Sequence, residues 1–297
     1  MRAQRWTSIV ASMGLACGGD AGHAPAHVEP TSAPSITPRA VASVEPLPPA
    51  PTAIATAEPT ASAPESPPRL EGDVVLESKS GKQVLVSAGR DLPAGPVPII
   101  TAMHGMCETG PGICALLGPV LDGRAVAVCP TGNGECTNKD IPKGTNDWIL
   151  GTSSKTIRDA LDAVEARLAQ VDDRARGDVL LGNSRGAYAA CSIVQTLVDG
   201  PWTGLVLVSA SVEPDPKLLL RGGIQRVLLA TEDFDVAAEN MRKTTKRLCK
   251  AGLPARFVSL GKMGHGIHPE GALVLRDQMD WVMGRTTSTD ECPKPPP

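Results

Sequence analysis

A serine hydroxyl becomes a nucleophile when a base takes its proton and a carboxylate orients that base. One serine in this chain stands where that chemistry would be useful. The run Val179-Leu180-Leu181-Gly182-Asn183-Ser184-Arg185-Gly186-Ala187 reads as a buried strand, then Gly-x-Ser-x-Gly, then the start of a helix. Such a run forces a sharp strand-to-helix turn, in which neighbouring backbone crowds the serine and the glycines leave room for it. The Ser184 hydroxyl is then pushed out beyond the edge of a sheet. A partner base must come from elsewhere in the chain, and beyond residue 69 the histidines are His104, His265 and His268.

The elements that would position these groups begin near residue 70. Asp73–Glu77 and Gln83–Val86 read as a hairpin turning at Ser80-Gly81. Val97–Met103, Arg124–Cys129, Asp178–Leu181, Leu205–Val208, Val227–Ala230 and Arg256–Leu260 read as further strands. Helical spacing appears in three places. Ile157, Leu161, Val164 and Leu168 form one stripe. Ala237, Met241, Thr244 and Leu248 form a second, closed by Gly252, and Ala272, Leu275, Met279 and Val282 form the last. Apolar runs without alternation indicate strands covered on both faces, hence a mostly parallel sheet between helix layers. Right-handed crossovers then collect the loops after each strand on one edge, where active sites gather.

Composition divides the 297 residues unevenly. Residues 18–68 are mostly Ala, Pro, Ser, Thr, Val and Glu, with no aromatic residue, cysteine or lysine from Gly22 to Pro68. Such a stretch cannot bury enough apolar surface to offset its ordering entropy and is expected to be a disordered tether. What remains, about 230 residues, suits one α/β domain over residues 69–288, followed by a short tail over 289–297. A net charge of −3 with both signs interspersed gives no basic surface for nucleic acid. Aromatic residues make up only 2% of the chain, too few for stacked sugar platforms.

Residues 1–17 resemble an export signal: Arg2 and Arg5 carry positive charge, Thr7 to Ala16 is mostly apolar, and small residues follow. Gly14-Leu15-Ala16-Cys17 is similar to the lipobox of bacterial lipoproteins, although leucine is expected where Gly14 stands. On this reading Cys17 is lipidated and the tether spaces the domain from a membrane. A plain secretory signal cleaved nearby is the other reading. Later apolar runs fall short of the roughly 20 residues that a membrane helix needs.

Cysteine usage agrees with export. Cys107 and Cys114 are seven apart, as are Cys129 and Cys136, and each pair reads as lying in a Gly-rich loop after a strand. Local Cys107–Cys114 and Cys129–Cys136 bridges are the simplest expectation, with Cys249–Cys292 tying the tail to a helix, although spacing does not fix connectivity. Zinc is the alternative use, but the short ligand pairs of structural sites are missing. Cys191 shares a stripe with Ala187, Val194 and Val198 and reads as a buried thiol.

The order of elements, with the Ser184 turn at its centre, resembles the α/β-hydrolase fold over most of residues 70–285. The segment Ser211–Arg221 is too short for a large cap domain, which implies an open or shallow site. That family orders its catalytic residues as nucleophile, acid, histidine. The resemblance makes Ser184 the nucleophile and places the base at His265, in Met263-Gly264-His265-Gly266 after the last strand, with His268 the lesser candidate. It places the acid in Thr231-Glu232-Asp233-Phe234-Asp235, where Asp233 matches the family offset best. Asp235 is the rival, able instead to cap the next helix, and Glu232 comes third. The oxyanion hole is implied at the amide of Arg185 and at a second amide in His104-Gly105-Met106-Cys107, either Met106 or Gly105.

The Arg185 side chain could orient an anionic substrate group or pair with a nearby acid. Trp148 could line a substrate pocket or anchor packing, and His104 is a pocket candidate that reads more readily as structural. The resemblance implies a carboxylesterase acting through an acyl-enzyme on a small-molecule ester, with no metal and no organic cofactor; the N-terminal signal adds export, to a lipid anchor in the cell envelope or to secretion. A peptidase or amidase of the same fold is the nearest alternative. A non-catalytic surface-binding protein that keeps the fold is the third.

Overall fold

The computed structural model describes residues 72–286 apart from residues 94–95, 137–143, 168–177 and 199, together with Leu70 and Cys292. The expected export signal, Cys17, the tether and all of the tail except Cys292 lie outside the described residues. Along the chain run β1 (Asp73–Glu77), β2 (Gln83–Ala88), β3 (Ile99–Met103), α1 (Gly110–Leu121), β4 (Val126–Pro130), β5 (Gly134–Glu135) and β6 (Asn146–Asp147). Then come α2 (Ser153–Glu165), β7 (Val179–Asn183), α3 (Arg185–Thr196), β8 (Gly204–Val208) and α4 (Pro216–Arg221). The last four are β9 (Arg226–Thr231), α5 (Ala238–Lys250), β10 (Ala255–Ser259) and α6 (Pro269–Val282).

Eight strands form one sheet in the order β1-β2-β4-β3-β7-β8-β9-β10. The β1–β2 and β2–β4 pairs are antiparallel, and the pairs from β4 through to β10 are parallel. This is the mostly parallel, helix-flanked sheet that the uninterrupted apolar runs require. In β3, β4, β7 and β8 every residue is buried. Successive side chains alternate between the two faces. Leu205 and Leu207 of β8 therefore join one core with α2, α3 and α5, while Val206 and Val208 join the other with α1 and α6.

Sequence periodicity did not point to α1. Its first residues, Gly110-Pro111-Gly112, read as loop, yet Thr109 caps the helix by accepting a hydrogen bond from the Gly112 amide. Proline in the first turn is compatible with a helix because that N–H lies outside the ladder anyway. The helix changes the disulfide pattern. Cys114 rides on α1 and meets Cys129 of β4, both buried in the same core, with Cα atoms 5.9 Å apart. Cys107 stays in the loop before α1 and joins Cys136 just past β5, Cα to Cα 5.5 Å. The expected Cys107–Cys114 and Cys129–Cys136 bridges are thus replaced by Cys107–Cys136 and Cys114–Cys129. Cys249–Cys292 forms as expected. Cys191 is buried and outside all three bridges.

The turn from β7 into α3 is packed against the loop that follows β3. A Cβ at Gly186 would collide with the carbonyl groups of Met103 and His104, and a Cβ at Gly182 with the backbone of Gly186 and Ala187. Neither obstacle is the end of a flexible side chain. Gly186→Ala is therefore expected to lower stability by about 3 kcal/mol, read as an earlier midpoint in urea with an unchanged slope.

Candidate active site

Three strand ends on one edge of the sheet bring three side chains together. Ser184 follows β7 and has φ 50° and ψ −114°. A non-glycine residue pays roughly 1–3 kcal/mol for such a conformation, which persists only where its surroundings enforce it. Here the Ser184 amide donates to the Val208 carbonyl of the next strand at 2.8 Å. His265 lies in the loop between β10 and α6, and its Nε2 is 2.7 Å from Ser184 Oγ. The other ring nitrogen, Nδ1, is 2.9 Å from Asp235 Oδ2. Asp235 lies between β9 and α5 with its side chain fully buried, whereas the His265 side chain is 55% exposed.

The carboxylate on the imidazole is Asp235, not the expected Asp233. β9 runs one residue beyond the expected strand, to Thr231, and the chain then turns, with the Asp235 amide donating to the Glu232 carbonyl at 3.1 Å. That turn sends Asp233 outward to Arg242 Nη2 at 3.5 Å and Asp235 inward. Asp235 Oδ1 also accepts from the Ala237 amide at 2.8 Å, so the same carboxylate holds the start of α5 and the histidine. Glu232 is buried and accepts from the Met263 amide at 3.3 Å, beneath the loop that carries His265. His268 stands at the N-cap of α6.

Electrostatics suit a charged acid and a basic imidazole. Burial alone would raise the Asp235 pKa, but hydrogen bonds from His265, the Ala237 amide and the Thr231 hydroxyl outweigh it and bring it down to about 2. His265 is shifted up from the ordinary imidazole value, chiefly by its hydrogen bond to Asp235; burial opposes this, and the charges of Asp235 and Glu108 add to it. An ionised Asp235 accepts only, so Nδ1 carries the proton and Nε2 is left to accept from Ser184.

The loop after β3 is held from below. His104 is fully buried, with Nδ1 donating to the Gly105 carbonyl at 2.8 Å and Nε2 accepting from the Gly132 amide at 3.1 Å. Burial lowers its pKa, so the neutral ring fills both roles. Trp148 is also fully buried and donates from Nε1 to the His104 carbonyl at 2.9 Å. Neither side chain can line a substrate pocket; they are the floor on which the loop rests. Gly105 donates its N–H to Glu108 Oε2 at 2.7 Å, so that amide is already engaged. Met106 is the next amide along, in a residue that is 59% exposed. Arg185, as the first residue of α3, has its N–H outside the intrahelical ladder. Its side chain lies 3.5 Å from Asp147, so it pairs with an acid.

No protein-family model matches this chain, and neither does any curated protein. Solved structures do match. Esterase PE8 superposes with a TM-score of 0.51 at 19% identity, over 70% of this chain and 100% of that one. The S-formylglutathione hydrolase of Staphylococcus aureus gives 0.50 at 13% identity, over 71% of this chain and 97% of that one. A fluorophosphonate-binding serine hydrolase, also of Staphylococcus aureus, gives 0.50 at 11% identity over 71% and 97%. The chain has the α/β-hydrolase fold.

The helix α4 spans only six residues. With α4 the one helix between β8 and β9, no large cap domain stands in that link, as the length of Ser211–Arg221 implied. Three residues near the site escaped sequence reasoning: Glu108, Ser209 and Thr231. Glu108 lies outside any motif, and the other two are small polar residues at strand ends. Only the register of the sheet brings these two hydroxyls together, 3.2 Å apart.

Proposed function

We propose that this protein is a serine hydrolase acting on carboxylic esters through an acyl-enzyme. The observation that carries the reading is the continuous Asp235–His265–Ser184 hydrogen-bond chain, at 2.9 and 2.7 Å. Ser184 Oγ attacks the ester carbonyl while His265 Nε2 takes its proton. The tetrahedral intermediate collapses as His265 returns that proton to the leaving alkoxide, releasing an alcohol and leaving an acyl group on Ser184. Water, deprotonated by the same nitrogen, then releases the acid. Asp235 keeps the imidazole in the correct tautomer and balances its transient charge. The amides of Arg185 and Met106 are the donors for the oxyanion; Gly105 is dropped from that role because Glu108 occupies it.

Three disulfides support an exported protein. The anchor at Cys17 remains part of this proposal. Pre-steady-state hydrolysis of p-nitrophenyl acetate tests the chemistry: a burst of p-nitrophenol equal to the enzyme concentration is expected if deacylation limits turnover. Methanol added as an alternative acceptor should then speed turnover. No turnover of any short-chain ester by folded protein would overturn the reading.

The pH profile provides a separate check. His265 works as a base only when neutral, and its pKa is raised above the ordinary 6.5. The value of kcat/KM should therefore fall with acid along a limb centred above pH 6.5. Glu108→Gln removes one of the charges that raise the imidazole, so the limb should move to lower pH. A limb that stays in place in Glu108→Gln would mean that solvent screens this carboxylate completely.

A further inference from the structure

Glu108 is an exposed residue on the loop after β3, and the reaction steps proposed above give its carboxylate no part. Its backbone is nevertheless fixed on three sides. Cys107 before it is bridged to Cys136. Its own carbonyl accepts from the Asn146 amide of β6 at 3.0 Å, and Thr109 after it caps α1. The side chain folds back over Gly105, where Oε2 accepts from the amide at 2.7 Å. A Cβ at residue 105 would stand 2.9 Å from Oε1 and 3.0 Å from Oε2, so the carboxylate fills the place of a side chain there. Both oxygens thus lie over the residue next to Met106, whose amide is an oxyanion donor in the proposed reaction. The same loop packs on the serine turn, since a Cβ at Gly186, two residues after Ser184, would collide with the His104 carbonyl.

No cation answers this carboxylate. Among the described residues Glu108 enters no ion pair, and Oε1 has no hydrogen-bond partner. Arg185, beside the nucleophile, is held by Asp147 of β6 at 3.5 Å. The strand that fixes the Glu108 backbone through Asn146 is therefore the one that engages the arginine. The charge of Glu108 also reaches His265, whose imidazole it helps to raise. A negative group beside the oxyanion position opposes the charge that develops when a neutral ester is attacked. A substrate that brings its own positive charge turns the same group into an attraction.

We propose that Glu108 selects esters that carry an ammonium group a few atoms from the reacting carbonyl, with Oε1 receiving the cation. The inference rests on the esterase reading proposed above and names its substrate class. Oε2 stays on the Gly105 amide while Oε1 faces the substrate. Because that amide and the fixed backbone already hold the carboxylate, little further ordering opposes binding.

The test pairs esters that share a shape and differ in charge. Acetylcholine against neohexyl acetate probes the alcohol side. The p-nitrophenyl ester of γ-trimethylammonio-butyric acid against that of its tert-butyl carbon isostere probes the acyl side. Each kcat/KM is divided by the rate of the same ester with hydroxide, which removes differences in intrinsic reactivity. In the wild type at low salt, the cationic member of at least one pair should be favoured about tenfold, and the pair that shows it identifies the side. Glu108→Gln keeps an oxygen for the Gly105 amide and removes the charge, so the preference should fall below about twofold. Because each ratio is taken within one enzyme and neither member titrates, a general change in the imidazole cancels. In the wild type the preference should also decline as sodium chloride is raised, a result that needs no variant to fold. Equal values within both pairs, a preference indifferent to salt, or one that survives Glu108→Gln would overturn the inference and leave the hydrolase reading standing. Retained turnover in Ser184→Ala would instead overturn the underlying hydrolase reading.

Discussion

Ser184→Ala should lower ester turnover by about 10⁶-fold while leaving the thermal midpoint within a few degrees of wild type. In the proposed reaction the hydroxyl is the atom that bonds to substrate, and no neighbouring group can substitute for it. Arg185 is paired with Asp147, and His265 reaches toward the position that the hydroxyl vacates. The backbone of residue 184 stays strained whatever its side chain, because the packing of Gly182 and Gly186 enforces it. Alanine therefore fits without large structural cost. His265→Ala should fall by a similar factor, and the two losses should not multiply, since nucleophile and base act as a unit. Steady-state hydrolysis of p-nitrophenyl acetate by the two single variants and the double variant measures this.

Asp235→Asn is expected to reduce kcat by about 10⁴-fold, against less than about threefold for Asp233→Asn. An amide at position 235 can donate to the imidazole as well as accept from it. It thereby stabilises the tautomer with the proton on Nε2, where that proton blocks acceptance from Ser184. It also withdraws the negative charge that balances the imidazolium. Asp233 makes only a 3.5 Å contact with Arg242 at the surface, where both side chains are more than a third exposed. The ratio of the two kcat values decides the acid, and a larger loss at 233 than at 235 would contradict the hydrogen bonding described above.

The parts of this molecule that were legible in its sequence are those governed by local rules. The apolar runs of β7, β8 and β9 announce strands buried on both faces, and the glycines around Ser184 announce a crowded turn. A histidine within reach of Ser184 was expected in the loop after the last strand, and His265 lies there. The failures share a different cause. Choosing between Asp233 and Asp235 needs the path of a tight turn, and two residues of sequence separation there mean opposite sides of the chain. The cysteine pairing depended on α1, whose Gly-Pro-Gly start hides a capped helix. Trp148 and His104 could not be sorted between pocket wall and floor without knowing what covers them. The Ser209–Thr231 contact is a register fact, set by β8 lying beside β9, and no single-strand pattern contains it.

The most direct test of the account is where a fluorophosphonate becomes attached. After reaction with wild-type protein, peptide mapping by mass spectrometry should find one phosphonyl group, on Ser184, and none over the same interval in His265→Ala. A label on another residue, or equal labelling of Ser184 when His265 is gone, would show that the serine, the histidine and the buried aspartate do not act as one catalytic chain.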